Sequence, residues 1–167
     1  MTENTTKKIA ANAVVAALYF VLTIALGSLS YQAIQFRIAE CLMLLCFFRK
    51  DFTWGLTIGC FLANLASPVG WPDWVFGTLA TFLSCIFISY LSPRMLIAAV
   101  WPVVFNALIV GAELTFVFGD FFYLNAIYVA LGELAVLAAG YVLFLLLMRN
   151  KAFMAAVKPT IHLSAKW

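Results

Sequence analysis

The chain has 167 residues, 66% of them hydrophobic and only 10% charged, with a formal net charge of +3. A soluble domain runs at about 45–50% apolar and about 25% charged, so a water-soluble globule is excluded and the chain belongs in a membrane. At about 100–200 residues per domain it reads as a single unit over residues 1–167, with no room for a second, nucleotide-hydrolysing domain.

A crossing helix takes about 20 residues, so this length holds about six crossings with short connections. Apolar runs predict helices over 9–29, 34–48, 53–66, 74–92, 95–115 and 121–148. The expected fold class is an all-α membrane protein, a bundle of six transmembrane helices. The polar residues 1–8 and the first apolar run are not a signal peptide, because no small-residue cleavage site closes the run and five further apolar segments follow. The first helix carries Ala13 and Ala17 in small-xxx-small spacing, a face that lets another helix approach closely, either within the bundle or from a partner. The second and third helices are short for a full crossing, which implies tilt, a thin bilayer or ends buried against protein.

The connections fix an orientation. Lys7 and Lys8 precede the first helix, Arg49 and Lys50 follow the second, Arg94 follows the fourth, and Arg149, Lys151, Lys158 and Lys166 follow the sixth. Nine of the ten basic residues therefore share one side, which the positive-inside rule makes cytoplasmic, together with both termini. Only Arg37 falls elsewhere.

An ionisable residue inside a membrane costs at least about 2.5–3.5 kcal/mol and marks a functional site by default. In chain order the ionisable and polar candidates are Gln35, Arg37 and Glu40 in the first turns of the second helix, Asn64 at the outer end of the third, and Asp73 with Trp74 opening the fourth. Glu113 closes the fifth helix with Asn106 two turns deeper on the same face, and Glu133 lies about 18 Å into the sixth. Nearly all fall in the outer half and converge on one outward-facing pocket, with the short loops 30–33 and 67–72 as candidate lids. One arginine against Glu40, Glu113, Glu133 and Asp73 leaves a formal −3 if every group is ionised, which disfavours an anionic ligand and favours a cation or a neutral molecule rich in N–H donors.

Each group has a structural alternative. Arg37 and Glu40, three apart, can pair with each other or with a neighbouring helix; Asn64 and Asn106 can join helices; Asp73 can cap the fourth helix. Trp71 and Trp74 can anchor at the interface or stack on a flat ligand. The cysteines Cys41, Cys46, Cys60 and Cys85 lie in apolar runs without metal-ligand spacing, and His162 sits in the tail. No metal site or cofactor is expected on this chain. There is no GxxxxGK[ST], HExxH or GxSxG motif, so if the chain pumps, its energy comes from elsewhere, and most arguments for a membrane protease, esterase or zinc enzyme fall away; enzyme activity is not expected.

Three stretches are more specific than composition: Gln35-Phe36-Arg37-Ile38-Ala39-Glu40; Ala63-Asn64-Leu65 through Pro68 and Gly70 to Asp73-Trp74-Val75-Phe76-Gly77-Thr78-Leu79-Ala80-Thr81; and Phe105-Asn106-Ala107-Leu108-Ile109-Val110-Gly111-Ala112-Glu113-Leu114, with Gly132-Glu133 beyond. Over roughly residues 9–148 the chain resembles the QueT family, substrate-binding S components of energy-coupling-factor (ECF) importers for queuosine precursors. The resemblance implies a six-helix subunit in the bacterial cell membrane that captures a 7-deazaguanine and docks on a transmembrane coupling protein and two ATPases, which consume the ATP. It implies that Ala13 and Ala17 face the coupling protein. A guanine-like edge suits Glu113 or Glu133, its carbonyl suits Asn64, Asn106 or Arg37, and Trp71, Trp74 or Phe76 would cover the ring. An aminomethyl group would pair with Glu40 or Asp73. The competing expectations are an S component for another vitamin-like molecule, an intramembrane enzyme using Glu113 and Glu133, and an ion-coupled carrier.

Overall fold

A computed structural model describes residues 3–27 and 36–157. The chain forms α1 (Glu3–Ala25), α2 (Ile38–Phe48), α3 (Phe52–Asn64), α4 (Trp71–Leu91), α5 (Met95–Phe118), α6 (Phe122–Leu147) and α7 (Lys151–Val157), with no strand among the described residues. Four of these helices, α1, α4, α5 and α6, are long and apolar enough to cross a membrane. At about 1.5 Å per α-helical residue and about 2.0 Å per 3₁₀ residue, α2 and α3 each extend only about 20 Å.

The short α2 is not a lipid-facing element. Apart from Glu40 it is apolar, and Met43, Leu44, Cys46, Phe47 and Phe48 are all fully buried, as expected of a helix largely enclosed by protein. It lies against α1, α4, α5 and α6. The main core gathers around it, with Leu56 and Cys60 from α3, Cys85 and Ile88 from α4, and Leu137 from α6. A smaller apolar cluster of Ala80, Val110, Leu114 and Val129 joins α4, α5 and α6. Outer surfaces expose Val14, Val21, Leu131 and Leu143, side chains that lipid accommodates and water does not.

α1 lies on α3 almost backbone to backbone. A Cβ at Gly55 would come within 2.6 Å of the Asn12 carbonyl oxygen, and one at Gly59 within 2.6 Å of that of Ala16. The inward face of α1 is thus Asn12, Val15, Ala16, Tyr19 and Thr23, whereas Ala13 and Ala17 are exposed.

One end of the bundle collects the basic connections. Arg49 donates to Asp51 through Nε at 2.9 Å and through Nη2, and its Nη1 donates to the Val157 carbonyl at 3.4 Å. Asn12 of α1 donates to the same Asp51 carboxylate at 3.3 Å, and Lys50 places its ammonium 4.0 Å from the Tyr90 ring centre at the end of α4. Asp51 is partly exposed. Partial burial works to raise its carboxyl, but the hydrogen bonds and charge of Arg49 prevail and hold it below the ordinary carboxylate range.

Several expected boundaries move. The first helix starts at Glu3 rather than residue 9, because Thr5, Thr6, Lys7 and Lys8 continue the helix in polar form. The fourth starts at Trp71 rather than 74: Gly70, with φ +80°, turns the chain and Pro72 stands in the first turn, where its missing N–H costs nothing. The candidate lid 67–72 is therefore partly helix, while loop 30–33, Gln35 and His162 lie outside the described residues. The fifth helix runs on to Phe118 and ends at Gly119 in the left-handed region. The seventh helix was not expected; Phe153 seats it against Phe48 and Phe144.

Candidate functional site

The site begins with the opening of α2. Ile38–Leu44 winds as a 3₁₀ helix with Arg37 at its N-cap, and three residues per turn bring Arg37 and Glu40 over one another. Both side chains are withdrawn from solvent, at 2% and 0% exposure. Arg37 Nη1 lies 3.7 Å from Glu40 Oε1, and Nη2 donates to both oxygens of Asp73, at 3.0 Å to Oδ1 and 2.8 Å to Oδ2. Asp73 is in the first turn of α4, where a carboxylate also complements the helix dipole. The next turn of α4 leaves room for it: a Cβ on Gly77 would stand 2.3 Å from Asp73 Oδ1 and 2.8 Å from Asn64 Nδ2.

Glu40 is gripped from other helices as well. Tyr19 of α1 donates to its Oε1 at 3.3 Å and Asn106 of α5 donates to its Oε2 at 2.5 Å. Glu133 of α6 lies close to the Glu40 carboxyl. Asn64 Nδ2 donates to the Asp73 carbonyl at 2.9 Å, so the end of α3 is tied to the start of α4.

Glu113 stands apart from these bonds but within reach of their charges, those of Asp73 and Arg37. It lies on the wall of a cleft of about 510 Å³ between α4 and α5, otherwise lined by apolar side chains including Trp71, Phe76, Leu108 and Phe116. The wide π turn over Asn106–Val110 separates it from Asn106. In an uninterrupted α-helix the two, seven residues apart, would share one face; the wide turn shifts the phase, so that Asn106 reaches Glu40 while Glu113 borders the cleft.

The balance of donors and acceptors is uneven. The side-chain N–H groups of Asn64 and Asn106 already serve Asp73 and Glu40. Among the described residues, Oδ1 of Asn64, Oδ1 of Asn106, both oxygens of Glu113 and Oε2 of Glu133 are buried and accept no hydrogen bond within the protein. Leaving such a group unpaired costs about 1–3 kcal/mol, more when it is charged. A molecule that supplies N–H donors matches this centre; an anion does not.

Of the residues read from the sequence, Arg37, Glu40, Asn64, Asp73, Asn106 and Glu133 meet in one network, with Glu113 beside it. Asp73 does not cap α4: Gly70 holds the N-cap without a side-chain bond, and the carboxylate is turned to Arg37. Trp71 lines the Glu113 cleft, whereas Trp74 is 37% exposed and is not among the side chains lining it. Two participants were missed. Tyr19 could have been found from a hydroxyl in the middle of an apolar helix, which needs a partner when buried. Gly77 had no sequence signal, since its role depends on Asp73 and Asn64 arriving from either side.

Long apolar helices closed around one buried, charged and acceptor-rich centre define an integral membrane protein with an internal polar site. Residues 9–149 match the family model described as QueT transporter, and the chain belongs to that family. Over 85 residues it is 40% identical to the queuosine precursor transporter QueT of Lactococcus lactis subsp. cremoris (strain MG1363), an alignment that takes in 50% of each chain. The chain thus spans about half the length of the curated relative it matches. No solved structure matches it.

Proposed function

We propose that this chain is the substrate-binding S component of an ECF importer and captures a queuosine precursor, a 7-deazaguanine, from outside the cell. The reading rests on the buried acceptors of Glu113, Glu133, Asn64 and Asn106, which ask for a ligand with several N–H donors. A 7-deazaguanine carries a ring N–H and an exocyclic amine side by side, which one carboxylate accepts as a pair. The family, and a relative named as a queuosine precursor transporter, support the same ligand class.

In this proposal α1 to α6 make six crossings of the bacterial cytoplasmic membrane, with both termini inside, in accord with the basic residues gathered at one end. The two short crossings are supported by protein neighbours around α2. Uptake is driven by ATP hydrolysed on two partner ATPases through a transmembrane coupling protein. The exposed Ala13 and Ala17 face that protein, since small side chains permit close helix contact in lipid.

The test is a titration of the purified full chain in detergent with aminomethyl-7-deazaguanine, followed by tryptophan fluorescence, for which Trp71 in the Glu113 cleft is a built-in reporter. Saturable quenching at submicromolar ligand, absent with guanine, riboflavin and thiamine, is the expected result. A folded protein that ignores the deazaguanine would overturn the assignment.

A further inference from the structure

The centre holds four carboxyl groups, and they are not equivalent. Asp73 spends both oxygens on Arg37. Glu40 spends its own on Asn106, Tyr19 and Arg37. Among the described residues, Glu113 has no hydrogen-bond partner for either oxygen, and Glu133 has none for Oε2. Glu113 borders the cleft between α4 and α5, and Glu133 of α6 lies near Glu40, both within range of the Arg37 charge. They also differ in depth. Glu113 is five residues from the end of α5 at Phe118, and Glu133 is eleven from the start of α6 at Phe122. At about 1.5 Å per residue, Glu133 is about 9 Å deeper.

We infer that the centre has two stations for one two-headed ligand: Glu113 takes the N–H edge of a flat ring, and Glu133 takes a positively charged amine on the ring's short arm. The inference rests on the function proposed above and decides which form of the precursor the protein selects. At the first station the paired oxygens of Glu113 meet two parallel donors, and Trp71, Phe76 and Phe116 offer apolar faces to the ring. At the second, an ammonium brings three N–H donors. Glu133 Oε2 is one acceptor, and Oδ1 of Asn106, whose amide is held against Glu40 beside Glu133, is a second. A nitrile in the same place presents only another acceptor to a cluster of acceptors. Glu40 and Asp73 are then positioning residues that aim Asn106 and Arg37, rather than the partners of the amine.

The inference is tested by calorimetric titration of the full chain, wild type, Glu133→Gln and Glu113→Gln, with the aminomethyl and the cyano forms of 7-deazaguanine. Wild type is expected to prefer the amine by about tenfold or more, the scale of one charge-assisted hydrogen bond. Glu133→Gln should bring the two affinities within about twofold of each other. Glu113→Gln should weaken both by about tenfold or more and leave their ratio intact. A preference ratio unchanged in Glu133→Gln overturns the inference but not the substrate class. So does a wild type that binds both forms equally, a result that needs no variant to fold. A wild type that binds neither form overturns the proposed function itself.

Discussion

Nη2 of Arg37 lies between the two carboxylate oxygens of Asp73, 3.0 Å from one and 2.8 Å from the other, and thereby joins the start of α2 to the start of α4. The contact spans 36 residues of sequence and is almost wholly withdrawn from solvent, with the two side chains at 2% and 3% exposure. Such a pair is not necessarily a net source of stability, because both ions lost their water to form it. Its value here is positional: it turns Nη1 toward Glu40, while among the described residues Glu113 and Glu133 form no ion pair with Arg37.

Removing one side of the pair strands the other. We predict that Asp73→Asn lowers stability by about 3–5 kcal/mol, reduced to the extent that Glu40 compensates Arg37, and that it abolishes ligand binding. The double variant Arg37→Met, Asp73→Leu should recover part of the stability but none of the binding. Thermal unfolding in detergent and ligand titration read the two effects separately. An Asp73→Asn protein as stable as wild type would mean that the pair does not hold α2 to α4.

Gly77 is expected to tolerate no side chain. A methyl group there would press on Asp73 Oδ1 and Asn64 Nδ2, at 2.3 and 2.8 Å, and must push the carboxylate off Arg37. Gly77→Ala should cost about 1–3 kcal/mol, the usual scale of overpacking, and weaken ligand binding about tenfold or more. Wild-type affinity in this variant would contradict the placement of Asp73.

The seam between α1 and α3 offers a test of packing alone. Because the obstructing atom at Gly59 is a backbone oxygen, that of Ala16 at 2.6 Å, no rotamer change relieves Gly59→Ala. The helices must separate, at a cost of about 1–3 kcal/mol or somewhat more. The midpoint of thermal unfolding checks this, and an unchanged midpoint would refute so close a seam.

The clamp at the basic end predicts a pH dependence. In the folded protein Arg49 holds the Asp51 carboxyl below its ordinary value, so unfolding raises it toward about 3.9. The contribution of Asp51 to stability is therefore complete above about pH 4 to 5 and is lost as pH falls through the lower, folded value. Because Asp51 is partly exposed, the effect is at most about 1 kcal/mol. Unfolding midpoints of wild type and Asp51→Asn should differ at neutral pH and converge in acid. Curves that stay parallel into acid would argue against an ionised Asp51 in the clamp.

The last prediction separates capture from uptake. Ala13 and Ala17 are exposed and make no contact with the polar centre, so replacing both with leucine should leave ligand affinity within about twofold of wild type. Cellular uptake should nevertheless fall to background, since bulk on this face prevents close helix approach. Normal uptake by the double variant would remove this face from the proposed docking surface.

The sequence alone determined the solvent, the helical class and the residues of the buried polar centre. Sixty-six per cent hydrophobic residues in long runs permit little else than helices in lipid, because a backbone without water must satisfy its own hydrogen bonds. Arg37, Glu40, Asn64, Asp73, Asn106, Glu113 and Glu133 stood out because each is costly in such surroundings. What the sequence left open is how they are divided. Whether Arg37 belongs to Glu40, Asp73 or a ligand depends on contacts 3 and 36 residues apart, and the bond from Asn106 to Glu40 spans 66. The 3₁₀ opening of α2 and the π turn in α5 each rotate side chains away from the positions that ideal helical spacing implies, and local propensity does not encode either. Only the packing of helices around one arginine decided which carboxyl groups are bonded within the protein and which, among the described residues, are not, because a buried charge takes whatever partner three-dimensional proximity supplies.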